Sequence, residues 1–252
     1  MLIDLTGKVA LVTGGSRGIG AAISLALGGS GARVAANYMS DHRSAQAFAR
    51  KMQQKKLVSS LVAGDVGDFL EAESVVRQVI DRFGRLDIVV NNAGIWEPNP
   101  IDHPRSEESW DRMIRTNLKG AFNICTHALP YLTKAKGRIV NIASTAGQRG
   151  EPAFSHYAAS KGGVIAFTKS LAAELGPYQV LVNAVSPGWI WTDMSMKHLS
   201  KPVNRKEALR QIPLGKFGQP EDVANAVLFL VSPLATHITG EVLNVNGGSV
   251  LQ

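Results

Sequence analysis

The stretch SHYAASKGG places a tyrosine and a lysine four positions apart, as Tyr157 and Lys161. On a helix, residues i and i+4 lie one above the other, so both side chains would project from one face. A phenol, with an ordinary pKa near ~10, is a poor acid at neutral pH, and a neighbouring ammonium favours the phenolate. The pair has the makings of a tuned proton donor. Ala158, Ala159, Gly162 and Gly163 would leave that face uncrowded and open to something bulky. Spacing alone equally fits a packed ring beneath a solvated amine, so the remainder of the chain decides between the two.

A second chemical feature is TGGSRGIG, Thr13–Gly20, which follows a strand-like run and opens a helical one. Glycines at 14, 18 and 20 permit a tight turn, let backbone amides approach a pyrophosphate, and let the helix pack close to the strand. The spacing G-x3-G-x-G differs from the commonest dinucleotide fingerprint, G-x-G-x-x-G.

These residues need a scaffold, and the order of elements supplies one. Apolar β-rich runs (KVALVTG, RVAANY, LVSSLVAGD, LDIVVNNAG, GRIVNIAS, VLVNAVSPG and EVLNVNGG) alternate with helix-length segments at Gly18–Gly29, Ser44–Gln54, Phe69–Phe83, Ser109–Leu132, Tyr157–Leu175 and Pro220–Val231. Such alternation predicts a doubly wound, Rossmann-type parallel sheet of about seven strands with helices on both faces. In open sheets of this kind, ligands bind beyond the carboxyl ends of the strands. Five strand ends here carry polar or glycine-rich groups: TGGSRGIG, GDV, NNAG, IAS and SPG.

Length and composition bound the rest. A chain of 252 residues with 45% hydrophobic content and no Pro/Gly/Ser-rich linker reads as one domain over residues 1–252. The single cysteine, Cys125, excludes an intramolecular disulfide and suggests a reducing compartment. The amino terminus lacks the basic-then-apolar pattern of a signal peptide, and the longest apolar run, near VANAVLFLV, is about half of the ~20 residues that span a bilayer. The protein reads as cytoplasmic. A formal charge of +7 invites a nucleic-acid reading, yet the basic residues are scattered among acids and no nucleic-acid motif accompanies them. The mild positive field would favour anionic ligands such as phosphate-bearing cofactors and acidic carrier proteins. The six histidines show no metal-ligand spacing, so no catalytic metal is expected.

Taken in order, the glycine loop, NNAG, Ser144 and Tyr157-x3-Lys161 resemble the short-chain dehydrogenase/reductase family, over a span from about Leu5 to the carboxyl terminus. Within it, NYMSDHRSA, NNAGI and LGKFGQPEDVA look like the branch that reduces 3-oxoacyl thioesters on acyl carrier protein or coenzyme A. The resemblance makes Tyr157 the proton donor or acceptor and Lys161 the residue that lowers its pKa and binds the nicotinamide ribose. Ser144 would hydrogen-bond the substrate oxygen, and Asn117 would help position a relay water. Gly14, Ser16, Arg17, Gly18, Ile19 and Gly20 would hold the cofactor phosphates. Asp65 and Val66 would meet the adenine, and Asn91, Ala93 and Gly94 would support the sheet and the ribose. Pro187, Gly188, Ile190 and Thr192 would line the nicotinamide. Charge building on the carbonyl oxygen during hydride transfer fits these roles, since Tyr157 can give a proton while Ser144 steadies the oxygen.

Cofactor choice turns on the end of the second strand, where a carboxylate would bond the 2′-hydroxyl of NAD and repel the 2′-phosphate of NADP. That place reads as Asn37, with Arg17, Ser40 and Arg43 nearby, which favours NADP(H); Asp41 lies close enough to keep NAD(H) as the alternative. Trp96, Trp189 and Trp191 border the expected site, as a substrate wall or as core packing. Arg149 is a candidate for docking an acidic carrier, and residues 193–217 are a candidate substrate lid. The expected activity is hydride transfer between NADP(H) and a carbonyl or secondary alcohol, 3-oxoacyl thioesters among them. The competing readings are an NAD(H)-dependent dehydrogenase of small alcohols, diketones or sugars, and a non-catalytic nucleotide-binding regulator. The family resemblance also implies a homotetramer. One departure from the family pattern falls before the sixth strand, where Gln179 and Leu181 replace the usual Gly and Arg.

Overall fold

In the computed structural model, which describes residues 3–251, seven strands form one parallel sheet. They are β1 (Val9–Val12), β2 (Arg33–Tyr38), β3 (Ser59–Ala63), β4 (Ile88–Asn91), β5 (Arg138–Ile142), β6 (Leu181–Pro187) and β7 (Val242–Val245). Their spatial order is β3-β2-β1-β4-β5-β6-β7, every neighbouring pair parallel. The chain winds outward in both directions from the β1/β4 junction, which opens a crevice at the carboxyl ends of these two strands.

The strands are apolar throughout because both faces are covered. Ala10 and Val12 of β1 face a layer containing Ile23 and Leu27 of α1 (Gly18–Gly29). Val9 and Leu11, one residue out of phase, face the opposite layer, which is built from α3 (Phe69–Phe83), α5 (Gly120–Ala135) and α7 (Ser155–Leu175). Asp87, buried just before β4, ties the far edge together: its carboxylate accepts from the Val9 amide at 2.9 Å and pairs with Arg85 and Lys8.

Capping explains where several helices begin. Asp41 accepts from the Ser44 amide and starts α2 (His42–Gln54) two residues before the expected Ser44. Asp68 accepts from the amides of Leu70 and Glu71 at the head of α3. The helix expected as one rod over Ser109–Leu132 is instead two, α4 (Ser106–Ile114) and α5, joined by a π-helical turn over Arg115–Lys119. Lys136 ends α5 in the left-handed region, at φ 50°. The short α6 (Thr145–Arg149) precedes α7, while α8 (Asp193–Leu199) and α9 (Pro202–Arg210) occupy most of residues 193–217, and α10 (Pro220–Val231) returns to pack on α1. At the departure before β6, Gln179 takes the left-handed conformation, φ 60°, that a glycine would adopt without strain. No helix among the described residues is long and apolar enough to cross a membrane.

Candidate active site

The glycine loop turns from β1 into α1 over the β1/β4 crevice. Gly18 has φ 51°, and Gly20 sits so close to the preceding turn that a Cβ there would lie 2.1 Å from the Gly14 carbonyl oxygen. Only glycine fits at 20, and the left-handed backbone at 18 favours it. No side chain caps the first turn of α1, so its backbone amides are free to bind an anion, with the helix dipole favouring negative charge. Thr13 joins the loop to β4: its Oγ1 accepts from the amides of Asn92 and Ala93, both at 2.9 Å. Asn92 Nδ2 in turn donates to the carbonyls of Thr13 and Gly14, at 2.9 and 3.2 Å.

One cleft gathers most of the expected residues. Gly14, Arg17, Gly18, Ile19 and Gly20 line one end, and Ala93 and Gly94 lie along its side. Ser144, Tyr157 and Lys161 line it further on, followed by Pro187, Gly188, Ile190 and Thr192, with Trp96, Arg149 and Trp189 at the other end. Its volume is about 240 Å³.

Ser144, two residues beyond β5, N-caps α6, accepting from the Ala146 amide at 3.2 Å. α6 lies tightly against α7, because a Cβ on Gly147 would fall 2.5 Å from the Lys161 carbonyl carbon. This brings Ser144 beside Tyr157 in the cleft, where its hydroxyl acts to lower the phenol's pKa. Lys161 is buried, with Nζ donating to the Ile142 carbonyl at 2.7 Å. Burial without a carboxylate partner pushes its ammonium pKa down to about 8.

Lys161 is not among the influences that act on the Tyr157 phenol, against the expectation that it lowers the pKa. Desolvation is the largest influence on the phenol and raises its pKa; the neighbouring Ser144 hydroxyl pulls it down and the Glu151 charge pushes it up. The Lys161 ammonium stands 5.9 Å from the phenol ring centre and is aimed at the strand carbonyl. At neutral pH the phenol therefore keeps its proton.

Asn117 lies in the π turn and is buried. Its Oδ1 accepts from the Ile95 amide at 2.8 Å, and its Nδ2 donates to the Ile95 carbonyl at 3.0 Å and to Ser160 Oγ at 3.2 Å. The side chain clamps the segment after β4, where a water-positioning role was expected. π turns recur at functional sites, where the extra residue redirects a side chain.

Other expected cofactor residues serve the fold. Asn37 lies inside β2, buried, its amide donating to the carbonyls of Val62 and Gly64 while its oxygen accepts from Gly14. Strand β2 runs one residue beyond it, to Tyr38. Both Asp65 oxygens are occupied, by the Gly67 amide and by Arg115, each at 2.8 Å. Val66 is buried with its carbonyl bonded to Asn123, and Ser16, within the glycine loop, is buried as well. Asn91 bonds Asn141 on β5 and the thiol of Cys125, which burial pushes up to about 12. Trp191 stays out of the cleft and packs on Phe217 under the Arg205 guanidinium.

Sequence reasoning missed Thr13, Asn92 and Glu151. The doubled asparagine of NNAG held a usable signal: Asn91 reaches Asn141 on β5, and Asn92, just past β4, reaches the turn after β1.

The crevice accepts a dinucleotide on this structure's own terms: uncapped amides, a loop whose Gly20 leaves no room for a side chain, and a buried ammonium beside a phenol. Fold and site together define a nicotinamide-dependent oxidoreductase, and the chain belongs to the short-chain dehydrogenase/reductase family. A family model described as "Enoyl-(Acyl carrier protein) reductase" matches residues 14–249. The 3-oxoacyl-[acyl-carrier-protein] reductase FabG of Staphylococcus aureus (strain Mu50) is 43% identical over 242 residues, which cover 96% of this chain and 97% of the relative. The protein of the same name from Thermotoga maritima is 41% identical, covering 98% of this chain and 99% of its own. A crystal structure of a dehydrogenase/reductase from Sinorhizobium meliloti superposes with a TM-score of 0.93 at 35% identity, covering 99% of this chain and 98% of that one.

Proposed function

We propose that this protein reduces the keto group of 3-oxoacyl thioesters with NADPH. The observation that carries the reading is the meeting of Ser144, Tyr157 and Lys161 in one cleft with the anion-binding loop. When bound, NADPH supplies the hydride. The Tyr157 hydroxyl, protonated at neutral pH, gives its proton to the oxygen that gains charge, and the Ser144 hydroxyl donates a hydrogen bond to the same oxygen. Lys161, anchored on Ile142, would hold the ribose hydroxyls, and the amides of Gly18, Ile19 and Gly20 would hold the pyrophosphate. Asn117 keeps the Ile95 segment against the cofactor's flank. The enoyl and 3-oxoacyl names of the relatives differ in the bond reduced, C=C or C=O. Two hydroxyls, Ser144 and Tyr157, in one cleft suit an oxygen that must be protonated, which supports the carbonyl.

Two further features favour NADP(H). Asp41, the carboxylate nearest the end of β2, is spent on capping α2, and its charge lies in the field of Arg17 and Arg43. Arg17 is exposed at the cleft's end, free to meet a 2′-phosphate. The working unit in this reading is a cytoplasmic homotetramer, which gives a role to the exposed Phe122 on α5 and its neighbour Phe167 on α7. Residues 193–217 serve as the substrate lid.

The deciding experiment compares kcat/KM for 3-oxoacyl and enoyl thioesters with NADPH and NADH, in wild type and Tyr157→Phe. Reduction of the 3-oxoacyl ester with NADPH, reduced about 10²- to 10⁴-fold in the variant, is expected. A preference for the enoyl ester, or undiminished turnover without the phenol, would remove Tyr157 as the acid. A preference for NADH would defeat the argument from Asp41 and Arg17.

A further inference from the structure

Four rings from four separate segments meet at the substrate end of the cleft. Trp96, after β4, lies flat against Phe154, which precedes α7, with ring centres 4.7 Å apart and planes 4° apart. Trp189, after β6, lies flat against His198 of α8 at 5.5 Å and 14°. The two indoles meet at 88°, with centres 5.8 Å apart, and His198 stands edge-on to Trp96 as well. The result is a right-angled corner lining the cleft that holds Tyr157 and Ser144.

Each wall is backed. Phe154 is buried behind Trp96, and His198 is carried by a helix whose Leu199 belongs to the apolar cluster of Ala208, Ile212 and Phe217. An indole held on one face by a stacked ring, and at its edge by a second indole, cannot swing aside without losing both contacts. Flexible aliphatic side chains at these places would re-pack around a long chain; stacked indoles present fixed planes. Arg149, which also lines the cleft, is tied to Glu151 at 2.8 Å and to Gln211 beyond α9 at 3.3 Å.

We infer that the Trp96–Trp189 corner restricts the group attached to the substrate's ketone to compact or planar shapes, short alkyl or aryl, and excludes long straight acyl chains. This deepens the carbonyl-reductase reading and rests on it. His198 acts with the corner as a clasp, coupling α8 to the position of Trp189.

The test measures kcat/KM for three N-acetylcysteamine thioesters, 3-oxobutanoyl, 3-oxo-3-phenylpropanoyl and 3-oxododecanoyl, in wild type, Trp96→Ala and Trp189→Ala. Wild type is expected to favour the first two at least tenfold over the third, and each variant is expected to raise the long-to-short ratio at least tenfold. Because a ratio cancels the fraction of folded enzyme, poor folding of one variant does not mimic the effect. Quenching of tryptophan fluorescence by the 3-oxo-3-phenylpropanoyl ester, weakened in both variants, reads binding without turnover. A wild type that prefers the dodecanoyl ester, or ratios unmoved by both variants, overturns the inference alone. Failure to reduce any of the three esters overturns the carbonyl-reductase reading and this inference with it.

Discussion

Replacing Lys161 with methionine separates what the ammonium does for chemistry from what it costs the fold. Moving its pKa from 10.5 to about 8 means that folding disfavours the charged side chain by roughly 3 kcal/mol at neutral pH. Between about pH 8 and 10.5 the unfolded chain keeps this proton while the folded one has released it, so stability rises with pH across that window. Methionine has similar length and no charge to desolvate, but it leaves the Ile142 carbonyl without its partner, a loss of about 1–3 kcal/mol. The absolute change at pH 7 is thus a small difference of opposing effects. The change with pH is not: from pH 7 to pH 10, wild type should gain about 2.5 kcal/mol relative to Lys161→Met. Urea denaturation of both proteins at pH 7, 8, 9 and 10 measures it, and groups common to the two cancel in the comparison. Parallel stability profiles would refute the assignment of a strained, buried ammonium at this position. Carbonyl reduction by the variant should be largely lost at every pH.

Ser144→Ala removes both the oxygen-steadying donor and the one influence that lowers the Tyr157 pKa. Turnover should fall about 10²- to 10³-fold, and in alcohol oxidation, which needs the phenolate, the rising limb of the pH–rate profile should move to higher pH; a limb that stays in place would count against the Ser144–Tyr157 link. Gly147→Ala forces a methyl group within 2.5 Å of the Lys161 carbonyl carbon and 2.6 Å of the Gly162 nitrogen. Thermal or urea unfolding should show a loss of about 1–3 kcal/mol, with a further loss of activity as α6 is pushed off α7 and Ser144 is displaced. Unchanged stability would mean that the α6–α7 contact yields more easily than its geometry indicates.

The parts of the fold that repeat were legible in the sequence. Strands buried on both faces announce themselves as apolar runs, and β2 was bounded correctly because Arg33 and Tyr38 mark its ends. The cleft residues were legible wherever backbone need and chemistry coincide, as at Gly18, Tyr157 and Lys161. What escaped was set by tertiary geometry. The break in the α4–α5 rod leaves no propensity signal, because RTNLKG reads as ordinary helix until the Asn117 amide is seen gripping Ile95. Asn37 was placed one residue too near the strand end, and its burial between β3 and the glycine loop reversed its meaning. Proximity likewise did not decide the Tyr157–Lys161 interaction. The spacing predicts that the two share a face, but the direction of the phenol's pKa depends on how dry the cleft is, which no local pattern encodes. Trp189 and Trp191 are two positions apart, yet one lines the cleft and the other packs on Phe217.

Cys125, bonded to Asn91 beneath β4 and held far above the ordinary thiol pKa, is the only sulfhydryl in the chain. Thiol reagents attack the thiolate, so the native molecule is shielded twice, by access and by ionisation. The wild-type protein therefore carries a built-in clock for the parting of α5 from the central sheet: the rate at which a reagent captures this one sulfur counts those excursions, with no label or substitution introduced. Capture slowed by bound nucleotide would show that filling the crevice also locks the helix behind it.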